Sequence, residues 1–445
     1  MLGQPMIILN SYEAAVRLLE SRSANTSDRP SVVMTDLTGY TWVFAVLGYT
    51  QAWRTRRRLF HTFFQRSAIP QYRPIHLRQC HRFLQRLLTT PDDFMSLARQ
   101  LFSETIMAVV YGITIAEHDD PYVSLAEKAT NIFGKITMPG QYLVESMPFL
   151  RHIPSWFPGA GFKRDALQWS EVVVAARDAP YDAAMDAFAR GTAGPSVVTT
   201  LVENAMREHG SVSPQDDESF RDVAGLAYLT GADTSLFSTQ AMFLAMVLYP
   251  DVQKKAQQEL DAVIGPDRLP EFSDRDSLPY INAVVKEIIR WHTVVPLGIS
   301  HCVTEEDEYG GYRIPAGTIL VPNAWAMSRD PQAYPQPDEF IPERFMKVGE
   351  CGSGVRDPEK YQFGFGRRIC PGRHFANDAL FITVASVLHV FNIEPPLGPD
   401  GKPAHVVPDI NMDAFLSFPE KFECRIRLRS AQAEALIRRN ARSEF

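Results

Sequence analysis

At 445 residues the chain is long enough for one large domain or for two or three ordinary ones, and its 45% hydrophobic, 22% charged composition belongs to a globular protein with a substantial core. A net charge of -7 leaves no basic excess to neutralise phosphates, which argues against a nucleic-acid binder. Five scattered cysteines (Cys80, Cys302, Cys351, Cys370 and Cys424) form no C-x-x-C pair, so neither a zinc knuckle nor a thioredoxin-like pair is encoded. A disulfide framework does not suit a chain with this much core, and reduced thiols in a reducing compartment fit best.

Residues 6–9 read as a strand, followed by an amphipathic stretch over 11–20. No signal peptide and no apolar span of transmembrane length precedes them. Helical patterns cover 53–88, 165–190, 217–249 and 251–264, with Pro/Gly-rich loops at 154–161 and 191–195. The longest apolar region, 225–249, carries Asp233 near its middle and reads as a buried core helix. Short strands then appear, with 312–314 and 318–321 flanking Pro315-Ala316-Gly317 as a hairpin. Near the end Phe422, Cys424, Ile426 and Leu428 alternate with charged residues, as in a half-buried strand, and a mostly surface helix covers 431–439. The reading is mainly α with a minor β component, with residues 1–445 as one domain, since no repeat, low-complexity tract or linker interrupts them.

The segment that carries chemistry is Phe363-Gly364-Phe365-Gly366-Arg367-Arg368-Ile369-Cys370-Pro371-Gly372, a glycine-bracketed cysteine just before a helix over about 373–391. Glycines permit close backbone approach and positive φ. Amide groups and the following helix N-terminus favour a thiolate over a thiol. Taken alone, this is also what a buried structural cysteine beside a turn looks like. The segment resembles the haem-binding signature F-x-x-G-x-R-x-C-x-G of the cytochrome P450 family, with Phe363, Gly366, Arg368, Cys370 and Gly372 at the fixed positions. The resemblance implies haem b, with Cys370 as the axial thiolate ligand of its iron, and thiolate donation favours O–O cleavage.

Other segments resemble further landmarks of that family. Trp53-Arg54-Thr55-Arg56-Arg57-Arg58 resembles W-x-x-x-R, and its Trp53 and Arg57, four apart on one helix face, would reach the haem propionates. Without the cysteine loop the same basic run is a solvated helix face. Thr230-Gly231-Ala232-Asp233-Thr234-Ser235 resembles A/G-G-x-D/E-T-T/S, where the helix opens locally and the acid–alcohol pair Asp233 and Thr234 relays protons; the bland alternative is a kink with a snorkelling Asp. The departure is Thr230, where the family usually has Ala or Gly, which leaves pocket size and polarity open. Glu287-Ile288-Ile289-Arg290 matches E-x-x-R and Pro342-Glu343-Arg344-Phe345 matches P-E-R-F, implying a structural Glu287–Arg290–Arg344 cluster. His301 stands where relatives place a His or Arg on a propionate, or else is a surface histidine. Phe363 and Arg368 are implied haem contacts, and His374 caps or packs.

The resemblance covers about residues 6–428 and places haem between the long central helix and the helix after the cysteine loop. It lacks the anchor, Pro-rich hinge and first strand that usually precede such a chain. Residues 296–315 and 325–327 are similar to fungal microsomal members of secondary metabolism or xenobiotic oxidation, for which an endoplasmic reticulum membrane location is expected. A chain that truly begins here would instead be cytoplasmic or peripheral. The implied activity is monooxygenation of an apolar substrate (terpenoid, steroid or polycyclic aromatic) by O2. No dinucleotide fingerprint is present, so electrons would come from an NADPH-cytochrome P450 reductase. Arg54, Arg56, Arg58, Arg367 and Arg373 would form its basic docking face, and 34–47, 294–299 and 415–418 would line the pocket. The alternatives are a reductase-independent isomerase or dehydratase of the same family, and a non-catalytic haem-binding relative.

Overall fold

The computed structural model describes residues 4–117, 119–138, 140–346, 355–412 and 415–442, so Cys351 lies outside the described residues. Helices dominate. In chain order, strand β1 (Met6–Leu9) is followed by α1 (Gln51–Phe64), α2 (Arg73–Thr89), α3 (Phe94–Tyr111), α4 (Pro121–Thr137), α5 (Gly161–Ala189), α6 (Val197–His209), α7 (Pro214–Gly231), α8 (Asp233–Leu248), α9 (Pro250–Val263) and α10 (Pro279–Trp291). Short strands β2 (His301–Cys302), β3 (Asp307–Tyr309), β4 (Tyr312–Ile314) and β5 (Ile319–Pro322) come next, then α11 (Arg373–Val390), β6 (Phe391–Glu394), β7 (Ile410–Asn411), β8 (Phe418–Pro419), β9 (Arg425–Leu428) and α12 (Ala431–Arg442). Among the described residues no helix is long and apolar enough to cross a membrane.

The long helical pattern over 53–88 is two helices. Gln65 turns extended (φ -67°, ψ 158°), and a 3-10 turn over Ile69–Tyr72, with Pro70 in it, re-aims the chain before Pro74 opens the next helix. The helical pattern over 217–249 is likewise divided at Ala232 into α7 and α8. Ser213 caps α7 by accepting from the Asp216 amide, with Pro214 in its first turn. The hairpin expected around Pro315-Ala316-Gly317 does not form. β4 pairs instead with β3 across Gly310 and Gly311, both at positive φ (60° and 82°), which supply the tight two-residue turn. β5 crosses to another sheet, where it runs parallel to β1 (Met6 opposite Ile319) and antiparallel to β2 (His301 opposite Leu320). The closing strand pairs with β6, placing Ile426 opposite Ile393. α12 is less superficial than its charge suggests, since Ala433, Leu436 and Ile437 are buried and the helix packs on α2.

The main core gathers α3, α8, α10 and α11 around residues such as Met107, Phe243, Ile288 and Val384. From Asn377 to Val390, α11 is buried on every face, as expected of a helix apolar all round. A smaller core joins Leu9, Leu18 and Leu19 near the amino terminus to Leu320, Tyr334 and Phe365. That second core backs the cysteine loop. Gly366 lies at φ +53° against the Leu19 carbonyl, where an added Cβ would overlap it.

Candidate active site

The cysteine loop is held by its own backbone. The Cys370 amide donates to the Phe363 carbonyl at 2.7 Å, and Gly364 (φ +79°) and Gly366 make the turn. Gly372 ends the loop as N-cap of α11, and a side chain there would approach the Cys370 sulfur, so the backbone passes close beside Sγ. Burial pushes the Cys370 thiol up, while the amides of Gly372 and Arg373 and the Arg57 and Arg373 charges pull it the other way. The amides favour the thiolate, as expected of them, but burial outweighs them. No cluster of three or more His, Cys, Asp or Glu among the described residues could hold a metal ion, so a metal at Cys370 would take its other ligands from a bound group.

Cys370 lies at one side of a cavity of about 320 Å³ that reaches from the cysteine loop to α7 and α8. One wall is cationic. Arg57 Nη2 donates to the Ile369 carbonyl at 2.6 Å, and Arg368 donates from Nε to Ser27 and from Nη2 to Leu47, both at 2.7 Å. The Arg368 guanidinium lies 4.3 Å from the centre of the Trp53 ring, and its Nη1 is buried without a partner among the described residues. Arg29, which carries no sequence signal, joins them by donating to the carbonyls of Ala45, Ile299 and Ser300. Burial lowers Arg368 to about 10 and also lowers Arg57, and it lowers Arg29 further, with the charge of Arg368 adding to the effect on Arg29. Asp28 is the carboxylate that opposes Arg29 and Arg368. A wall with three guanidiniums and this carboxylate suits a ligand bearing two acid groups.

His301 is buried on this wall rather than at the surface. Its Nδ1 lies 2.8 Å from the Thr26 carbonyl, so Nδ1 is the donor. Burial, then Arg29, holds the ring well below its ordinary range and therefore neutral, which makes Nε2 an acceptor. A direct bond from His301 to a carboxylate thus needs that anion to bring the second proton back.

Across the cavity, the break at Ala232 brings Thr230, Asp233, Thr234 and Ser238 to the lining. Three hydroxyls form a ladder: Thr230 Oγ1 donates to Leu226 O (2.8 Å), Thr234 Oγ1 to Thr230 O (2.9 Å) and Ser238 Oγ to Thr234 O (3.1 Å). Asp233 is placed beside Thr234 but is held elsewhere. Its Oδ1 accepts from Arg99 Nη1 at 2.7 Å, and Arg99 Nε lies 2.7 Å from Glu127 Oε1. Arg99 and Glu127, on α3 and α4, had no motif to announce them. The remaining lining is mostly apolar and includes Val43, Phe44, Val294, Val295, Phe415 and Leu416 from the expected segments, together with Ile106 and Phe133, which were not expected.

The Glu287–Arg290–Arg344 cluster is assembled behind the cavity. Arg290 donates from Nε and Nη2 to the two Glu287 oxygens at 2.7 and 2.8 Å, and Arg344 Nε reaches Glu287 Oε1 at 3.2 Å. Arg290 also binds the carbonyls of Ser328, Pro337 and Glu339, so a fully buried ion pair has its donors and acceptors occupied. His374 lies on the far side of the loop beside His61, Arg66 and Arg373. Of the arginines expected to form a docking face, Arg56 is removed, because its Nε donates to the buried carboxylate of Asp222 at 2.6 Å. Arg54, Arg58 and Arg367 remain exposed.

The buried sulfur, the di-acid-seeking wall and the phenylalanine-lined floor fit a haem b whose residents would be Cys370, Arg29, Arg57, Arg368, Trp53, His301 and Phe363. Comparison with known sequences agrees. The family model described as Cytochrome P450 matches residues 1–412. Cytochrome P450 monooxygenase COX1 of Coprinopsis cinerea is 41% identical over 98% of this chain and 85% of its own length. COX2 of the same fungus is 42% identical over 99% and 84%, and cytochrome P450 monooxygenase 208 of Postia placenta is 39% identical over 98% and 84%. With a family model across most of its length and fungal relatives near two-fifths identity, the chain belongs to the cytochrome P450 family.

Proposed function

We propose that this P450 is a monooxygenase that places one oxygen atom of O2 into an apolar substrate of terpenoid, steroid or polycyclic aromatic type. Its electrons come from NADPH through a cytochrome P450 reductase. The observation that carries the reading is one cavity with a buried sulfur, Cys370, on one side and the opened helix bearing Asp233 and Thr234 on another. Haem, when bound, supplies the reduction and cleavage of dioxygen.

The chain's own residues do the rest. Arg29, Arg57 and Arg368 neutralise and orient the propionates, and Trp53 stacks under Arg368 to fix its plane. The Thr234 hydroxyl and the Asp233 carboxylate hold and pass protons at the break in the helix. Phe44, Phe133, Val295 and Leu416 bind the substrate skeleton and keep bulk water out. Exposed Arg54, Arg58 and Arg367 steer an acidic flavoprotein toward the cysteine-loop side.

The test is the carbon-monoxide difference spectrum of the reduced protein with reductase-supported turnover. Cys370→Ser is expected to abolish the thiolate-type spectrum and product formation. Thr234→Ala is expected to keep consuming NADPH while product per NADPH falls. A thiolate spectrum that survives in Cys370→Ser overturns the ligation, and turnover of the wild type with neither reductase nor added peroxide overturns the monooxygenase reading.

A further inference from the structure

Thr230 is the residue at which the distal motif departs from its family, and it is also where the cavity lining changes character. It sits in α7 directly after Leu229, with Leu226 to Leu229 all buried, and α7 is enclosed by α1, α3 and α5. Thr230 is nevertheless exposed. Its open surface faces the cavity, which it lines together with Ile106, Phe133, Leu229, Val295 and Leu416.

The direction of its hydrogen bond decides what it can recognise. Oγ1 donates to the Leu226 carbonyl at 2.8 Å, so its single proton is already used. Beside its methyl group, Thr230 then has only the lone pairs of Oγ1 to offer a polar ligand. The next hydroxyl of the ladder, Thr234, has its proton on the Thr230 carbonyl in the same way. A wholly apolar ligand pressed against Thr230 would strip water from an acceptor and return nothing. A ligand carrying an O–H at that point would pair with it.

Resting on the monooxygenase reading above, we propose that Thr230 is a specificity-determining residue that accepts a hydrogen bond from an alcohol of the substrate. The substrate class is then an apolar ring skeleton that already bears one hydroxyl. The reaction that supplies it is one that leaves an alcohol on that skeleton, such as oxygenation, hydration or carbonyl reduction, and this enzyme acts after it.

Matched probe pairs on the haem-loaded protein test this: menthol with menthane, decalin-2-ol with decalin, and cedrol with cedrane, each titrated by the haem absorption change and by equilibrium dialysis. In the wild type at least one alcohol is expected to bind more tightly than its hydrocarbon. Thr230→Val, nearly the same shape, is expected to weaken that alcohol by roughly three- to ten-fold with the hydrocarbon unchanged or tighter. Thr230→Ser should restore the preference. The proposal is overturned if no alcohol outbinds its hydrocarbon in the wild type, if Thr230→Val weakens both members of a pair equally, or if it leaves the preference intact. The carbon-monoxide spectrum of every variant is read in parallel. Its absence in the wild type would sink the haem-thiolate reading itself, an outcome separate from any change in alcohol preference.

Discussion

Arg99 and Asp233 are joined at 2.7 Å across two helices, with the carboxylate buried and the guanidinium partly open to solvent. The pair ties α3 to the point where the distal helix breaks, and Glu127 extends the tie to α4. A double-mutant cycle with Arg99→Gln and Asp233→Asn is expected to give a coupling of about 1–3 kcal/mol in unfolding free energy. Strictly additive losses would show that the two residues merely lie side by side.

Glu287 accepts from Arg290, from Arg344 and from the Ile341 amide, all within a region closed to water. Glu287→Gln leaves two guanidiniums without their counter-charge, and a loss of about 3–5 kcal/mol is expected, together with poor haem retention. Urea unfolding and haem content per chain measure both. A Glu287→Gln protein with full haem and a normal midpoint contradicts a structural role for the cluster.

His76 and His292 predict acid sensitivity. Burial lowers His76 to about 3, with Arg73 adding to it, and lowers His292 to about 4. Both folded values lie below the ordinary 6.5, so the unfolded chain takes up these protons first. Their contribution to stability is complete above about pH 6.5 and is lost as pH falls toward 4, at about 1.4 kcal/mol per unit for each ring. The His76 ring lies 4.4 Å from the Phe375 ring, and its Nε2 is buried without a partner among the described residues. His76→Phe should therefore flatten the slope of stability against pH by about one proton. An unchanged slope between pH 7 and 5 would refute this.

Arg54 and Arg58 are exposed, whereas Arg56 is bonded to Asp222. Reversing Arg54 and Arg58 to Glu is expected to slow reductase-supported turnover and weaken its salt dependence, while peroxide-driven turnover survives. Equal losses in both reactions would assign the two arginines to folding or haem binding.

The cysteine loop, the Trp53–Arg57 face and the Glu287 cluster were legible through their resemblance to family motifs, and the resemblance alone could join Glu287 to Arg344, 57 positions away. Arg29 and Arg99 were not. Each is a lone arginine whose partner is distant in sequence: Ile299 lies 270 positions from Arg29, and Asp233 lies 134 positions from Arg99. Arg56 shows the converse, since a basic run on one helix face looks uniformly solvated until a buried carboxylate from α7 claims one member. The false hairpin has a similar origin. Pro315-Ala316-Gly317 carries a turn signal, but the paired glycines at 310 and 311 form the tighter turn, and β5 finds its partner in β1 at the other end of the chain.

The contact of Gly366 with the Leu19 carbonyl has a consequence for the order in which the fold closes. The wall behind Cys370 is contributed by residues far upstream in sequence of the loop that it supports. The intervening helices make many local contacts and gain structure early, but this closure waits for more than three hundred residues of chain, and long-range pairings form slowly. A chain that stops before the cysteine loop lacks the Phe365 and Gly366 contacts that close this core. Closure of the cysteine loop is therefore expected to be a late event, coupled to this long-range meeting rather than to the collapse of the helical body.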